Sequence, residues 1–180
     1  MKAFIVSDVR SFMRALLSEP LFKDWELRSA ELSVLSHISI DGKINRDYLS
    51  DEEKQQHPSP YLKWEEIQPR IRSLIQGGKT PTLMHITLAL DPSRFRGMPT
   101  DTVESLLLQI RYEIPGPGEG TAPSETAGAR DRTDPQREHR LTLITGVALK
   151  TFTLDKTPEK MWDESIPAFF KAHSIPLTEA

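Results

Sequence analysis

Five histidines, His37, His57, His85, His139 and His173, are the residues best suited to acid–base or metal chemistry in this chain. None forms an HxH or HExxH motif, and no two stand at the helical i, i+4 spacing. His37 and His85 fall on alternating stretches, each on the less apolar side. Facing across strands, with Asp41 or a Glu nearby, they would form an acid–base or metal cluster. The plainer reading is scattered surface histidines.

Asp41 also opens a stretch with some calcium-loop character, since Asp41, Asn45, Asp47 and Glu52 fit loop positions 1, 5, 7 and 12. Lys43 and Arg46 stand where a ligand and the turn glycine belong, so no metal is expected. No GxSxG is present, and the glycines of "GPGEG" do not open a helix after a strand, so no nucleophile elbow or phosphate cradle is expected. No cofactor motif is found. Arg94, Phe95 and Arg96 form a basic-aromatic loop that could hold a phosphate or stack on a base, and Arg70 and Arg72 could extend it. The net charge of −3 argues against a global field that recruits nucleic acid or anionic lipid.

Composition narrows the class. The chain has 180 residues, 37% hydrophobic and 27% charged, a globular balance with room for one core. A single domain over 1–180 is expected. Zero cysteines exclude disulfides, thiolate metal sites and cysteine nucleophiles, and fit a reducing cytoplasm. The N-terminal apolar run, Ala3 to Val6, is too short for a signal peptide, and no run approaches a membrane span. A cytoplasmic protein is expected.

The elements that would position these residues are legible as patterns. "KAFIV" is a short strand. Val9, Phe12, Met13, Leu16 and Leu17 form one helical stripe, with Ser7 or Asp8 as cap and Pro20 as stop. "ELSVLSHISI", residues 31–40, alternates as one half-buried strand with Leu35 as the apolar exception. Residues 45–60 read as a loop with a helical turn.

A second helix runs through "WEEIQPRIRSLIQGG". Pro69 either kinks it or lies in its first turn, and Gly77–Gly78 end it. Strands follow over "TLMHITLAL" and "VESLLLQIRYE". Residues 114–138, rich in Pro, Gly, Ser and Thr, read as a disordered insertion in a hairpin loop. "HRLTLITGVALKTFTLDK" is β-rich, with Thr145-Gly146 as a turn or a glycine bulge. The last helix opens on Thr157 as cap and Pro158, and buries Trp162, Ile166, Phe169 and Phe170. Runs of strands without intervening helices imply an α+β fold: a largely antiparallel sheet of five to seven strands with three helices packed on it.

Two details stand out. "ISIDGK" before "KWEEIQPRI" is echoed by "FTLDK" before "MWDESIPAF", a sign either of duplication or of one packing solution used twice. In "SHISIDGKIN", a three-residue turn over Ile40-Asp41-Gly42 matches polarity across the strands better than a two-residue Asp-Gly turn. It puts Gly42 in the left-handed conformation and Ile40 on a hairpin tip, where Ile40 covers a neighbouring element or meets a partner.

The stretches "KAFIVSDVRSFMRALL", "ISIDGKIN" and "LTLITGVALKTFTLDKTPEKMWDE" resemble an uncharacterised bacterial protein family of unknown function. The resemblance covers most of the chain apart from 114–138. It implies one domain and no particular activity. The sequence therefore points to a non-catalytic ligand-binding or protein-interaction domain. The alternatives are a small enzyme using a cross-strand His/Asp cluster and nucleic-acid binding through the basic loops. The partner stays open between another protein and a second copy of the chain; no membrane is expected.

Overall fold

The computed structural model describes residues 1–75, 80–113 and 139–180. The expected stop at Gly77–Gly78 and the expected insertion at 114–138 lie outside these residues. The strands are β1 (Ala3–Val6), β2 (Glu26–Ser33), β3 (His37–Asp41), β4 (Leu83–Leu90), β5 (Val103–Glu113), β6 (Arg140–Leu149) and β7 (Leu177–Glu179). The helices are α1 (Val9–Ser18), α2 (Asp51–Gln56), α3 (Trp64–Ile75) and α4 (Thr157–Ala172). The seven strands form one sheet in the order β3-β2-β4-β5-β6-β1-β7, every pair antiparallel. This is the α+β architecture that the strand runs imply.

Period-two alternation puts one face of every central strand into the core. Leu32, Met84, Ile86, Leu108, Ile110 and Leu143 are fully or almost fully buried, each worth about 1.5–3 kcal/mol of transfer. Phe12 of α1, Trp64 and Ile71 of α3, and Trp162, Ile166 and Phe170 of α4 join the same core cluster. Phe12, Phe22 and Phe170 meet with ring centroids 5.6 to 6.2 Å apart. The other sheet face is mostly polar, with Ile5, Leu83 and Ile144 among its side chains, and carries no helix of this core.

α1 begins where Asp8 accepts the Ser11 N–H at 3.0 Å. α3 starts at Trp64, so Pro69 lies inside the helix and not in its first turn. Pro69 is exposed, so the carbonyl it leaves unbonded lies on the solvated side. α4 starts at Thr157 itself, and its capping carboxylate is Asp155, which accepts the Thr157 N–H at 2.9 Å and its hydroxyl at 2.5 Å.

Four expectations are corrected. Residues 31–40 are two strands, not one: β2 begins at Glu26 and turns back over Val34-Leu35-Ser36. The three-residue loop pairs Ser33 with His37 and Leu32 with Ile38, so even residues face the core on both arms and the alternation runs unbroken through the turn. Leu35, the apolar exception, is the fully exposed tip.

Gly42 is not a turn residue. Its N–H donates to the Arg28 carbonyl and its carbonyl accepts the Leu62 N–H, while Lys43 bridges to Tyr61. The chain runs on past Asp41, and Gly97 is the glycine with positive φ among the described residues. Ile40 pairs with Ala30 and packs on the core edge, so it sits on no hairpin tip.

Thr145-Gly146 is neither turn nor bulge. The β5–β6 register is continuous there, and its irregularity lies at Val103/Ser105. "FTLDK" is no strand, because β5 starts at Val103 opposite Leu149 and only Lys150 finds a further backbone partner, the Thr102 carbonyl. The strand–helix echo therefore holds for the tryptophan helices and not for the segments before them. β7, three residues long after Pro176, is too short for any periodicity to declare it.

Candidate functional site

The register maps the open sheet face row by row. One row is His37, Ser33, Leu83, Glu113 and Arg140; the next is Ser39, Glu31, His85, Arg111, Thr142, Ile5 and Thr178; the third is Asp41, Ser29, Thr87, Gln109, Ile144 and Ala3. His37, His85 and Asp41 thus share a face but stand in three different rows.

Each has its own partners. His37 Nδ1 lies 3.1 Å from Ser33 Oγ, and Asp41 Oδ1 accepts the Lys43 N–H at 3.0 Å. His85 is flanked instead by Glu113, in direct contact at Nε2, and by Glu31, 3.9 Å from Nδ1. The structure does not assemble the three into one cluster. Among the described residues no group of three His, Asp or Glu side chains is placed to hold a metal ion.

The basic-aromatic loop follows a tight turn at Pro92–Arg94 that Asp91 caps. The hydroxyl and N–H of Ser93 donate to Asp91 and hold its carboxyl below the usual carboxylate range. Arg94 Nη1 is 3.0 Å from Asp24 Oδ2. Phe95 turns inward, edge-on to Trp162 at 6.0 Å and 84°. Arg96 is exposed, as are Arg70 and Arg72 on α3.

That inward turn of Phe95 forms a wall of a cleft of about 410 Å³. Leu90, at the end of β4, stands beside it, and the other walls come from distant parts of the chain: Leu21 and Trp25 between α1 and β2, and Trp162, Ser165, Ile166 and Phe169 along one side of α4. Trp162 stands 5.9 Å from Trp25, and Phe169 6.3 Å from Trp25. The Trp162 indole N–H donates to the Leu107 carbonyl at 2.9 Å, which fixes the ring against the sheet. The Asp24–Arg94 pair also lines the cleft, so it is largely aromatic with one acid and one base.

Leu90, Trp162, Ile166 and Phe169 were legible as apolar positions, and Phe95 and Arg94 as loop residues, whereas Leu21 and Trp25 fall in no periodic stretch. Their convergence was not, because three separated segments, 21–25, 90–95 and 162–169, contribute. A second, shallower hollow of about 310 Å³ lies on the open face between Arg111 and Arg140, over Thr142 and Ile144.

No helix among the described residues is long and apolar enough to cross a membrane. No curated protein and no solved structure matches the chain. A family model described as "Family of unknown function (DUF5721)" matches residues 15–115 and 136–178. The match takes in "ISIDGKIN" and "LTLITGVALKTFTLDKTPEKMWDE" and omits 116–135, within the Pro- and Gly-rich stretch. Covering well over half of the sequence, it places the chain in this family of unknown function.

Proposed function

We propose that this chain is a non-catalytic binding domain, working in the cytoplasm, whose ligand or partner seats an apolar group in the cleft between α4, the α1–β2 connection and the β4–β5 loop. The observation that carries the reading is the cleft itself. Four aromatic side chains, Trp25, Phe95, Trp162 and Phe169, line about 410 Å³ together with one charged pair. Ligand sites have this make-up: an apolar body of a few hundred Å³ with a small number of polar groups that orient what enters. The absence of cysteine supports the cytoplasmic placement.

All three tryptophans are buried, but Trp25 and Trp162 line the cleft and Trp64 does not. Two of the three emitters therefore report on the cleft. Titration with anilinonaphthalene sulfonate is expected to give saturable binding with energy transfer from tryptophan, and Ser165→Phe, which fills the cleft, to abolish it. Binding that is absent, or indifferent to Ser165→Phe in a folded protein, sinks the reading.

A further inference from the structure

We infer that the group seated in the cleft belongs to a second copy of this chain, which delivers Phe152 and Leu154 from the loop between β6 and α4. The inference rests on the binding reading above and adds the identity of the partner.

Phe152 and Leu154 are each 85% exposed, an unusual state for two large apolar side chains so close together. Thr153 between them is tucked in, and its hydroxyl accepts the Asp155 N–H at 3.1 Å. The loop that shows them is held at both ends. The Lys150 N–H and ammonium donate to the carbonyls of Thr102 and Thr100, each at 2.8 Å, and Asp155 caps α4. Such anchoring lowers the ordering cost of inserting the pair into a partner.

Loop and cleft lie at the same end of the sheet. Leu149, where β6 ends, pairs with Val103, where β5 starts; Leu90, where β4 ends and the cleft begins, pairs with Leu106. A two-fold axis through this end sets the loop of each copy against the cleft of the other. The two insertions are then equivalent, and the contact closes at a dimer instead of growing into a filament. Charge agrees with this pairing. Asp24 uses Oδ2 on Arg94 and has no partner at Oδ1 among the described residues, while exposed Lys156 follows Leu154 closely. The contact is small, so the dimer is expected to be weak and dependent on concentration.

Sedimentation velocity of the full chain over a hundredfold range of concentration tests the inference. The expected result is a reversible monomer–dimer equilibrium, with the dimer lost in the double variant Phe152→Ser/Leu154→Ser, whose exposed sites leave folding intact. Ser165→Phe alone is also expected to be monomeric. Mixing the loop variant with the cleft variant should restore weak association, because one of the two insertions survives. A wild-type chain that stays monomeric throughout, while still binding anilinonaphthalene sulfonate in the cleft, overturns the inference and leaves the binding reading standing. A dimer that persists in the loop variant overturns it as well, by placing the contact elsewhere.

Discussion

A Cβ added to Gly42 would lie 1.8 Å from the carbonyl oxygen of Leu27 and 2.5 Å from its carbon. The neighbour is backbone, held by the Leu27 N–H bond to the Leu62 carbonyl at 2.8 Å, so it cannot step aside. Gly42→Ala must therefore push the chain at Gly42 away from Leu27 of β2, at a cost of about 3 kcal/mol, the upper range of overpacking. At Gly146 the same Cβ would meet the Leu107 Cβ at 3.5 Å, an ordinary contact. Gly146→Ala is expected to stay within about 1 kcal/mol of wild type. Urea denaturation of both variants checks the contrast; equal midpoints would falsify the close-approach account.

Four carboxylates order local turns and helix starts, and all are held below their usual values by hydrogen bonds. The Ser11 N–H and hydroxyl lower Asp8, the Ser50 N–H and hydroxyl lower Glu53, the Ser93 hydroxyl and N–H lower Asp91, and the Thr157 hydroxyl and N–H lower Asp155. A carboxylate with a depressed folded value binds protons more readily when unfolded. Its contribution is complete above the unfolded value and is lost as pH falls through the folded one. The melting temperature should hold level down to about pH 5 and decline below about pH 4. Asp155→Asn, which keeps an acceptor but cannot titrate, should make that decline shallower. A profile that rises on acidification would contradict the assignment.

α2 has no buried residue and only six in all, so nothing but its ends holds it. Those ends form a capping box: the Ser50 N–H donates to Glu53 Oε2 at 2.8 Å, and the Glu53 N–H donates to Ser50 Oγ at 3.3 Å. In hydrogen exchange the α2 amides are expected to lose protection well before those of α1, α3 and α4. Ser50→Ala should accelerate exchange in α2 alone and leave the global unfolding midpoint in place. Protection of α2 equal to that of α4 would mean that a tertiary contact, and not the capping box, holds the helix.

The elements with a buried stripe were legible because packing demands periodicity. Phe12, Leu16 and Leu17 declare α1, and Met84, Ile86 and Leu88 declare β4. What the pattern hid follows from geometry. A three-residue loop keeps residue parity, so the β2–β3 turn leaves no mark except Leu35. Gly42 reads as a turn residue beside Asp41, yet glycine is needed there because another backbone comes close. Phe152 and Leu154 alternate like a strand, but β5 has already begun and only Lys150 finds a further bond. Phe169 and Phe170 look like one stripe, whereas Phe170 enters the core and Phe169 faces the cleft. The cleft itself depends on distances between segments that no single stretch encodes.

The basic-aromatic loop leads to a final expectation. Base stacking needs a free ring face, and phosphate contacts need cations without local counterions. Phe95 is packed edge-on to Trp162, Arg94 is ion-paired with Asp24, and Glu65 and Glu66 share the exposed surface of α3 with Arg70 and Arg72. With a net charge of −3, the chain should elute from heparin below physiological salt. Phe95→Ala should then act through the cleft: a half-buried ring is removed from Trp162, costing about 2 kcal/mol, less than the 3–5 typical of a fully buried phenylalanine. The same variant should weaken anilinonaphthalene sulfonate binding. Firm retention on heparin that falls in an Arg94→Ala/Arg96→Ala variant, with stability unchanged, would reverse this expectation and restore nucleic acid as the partner.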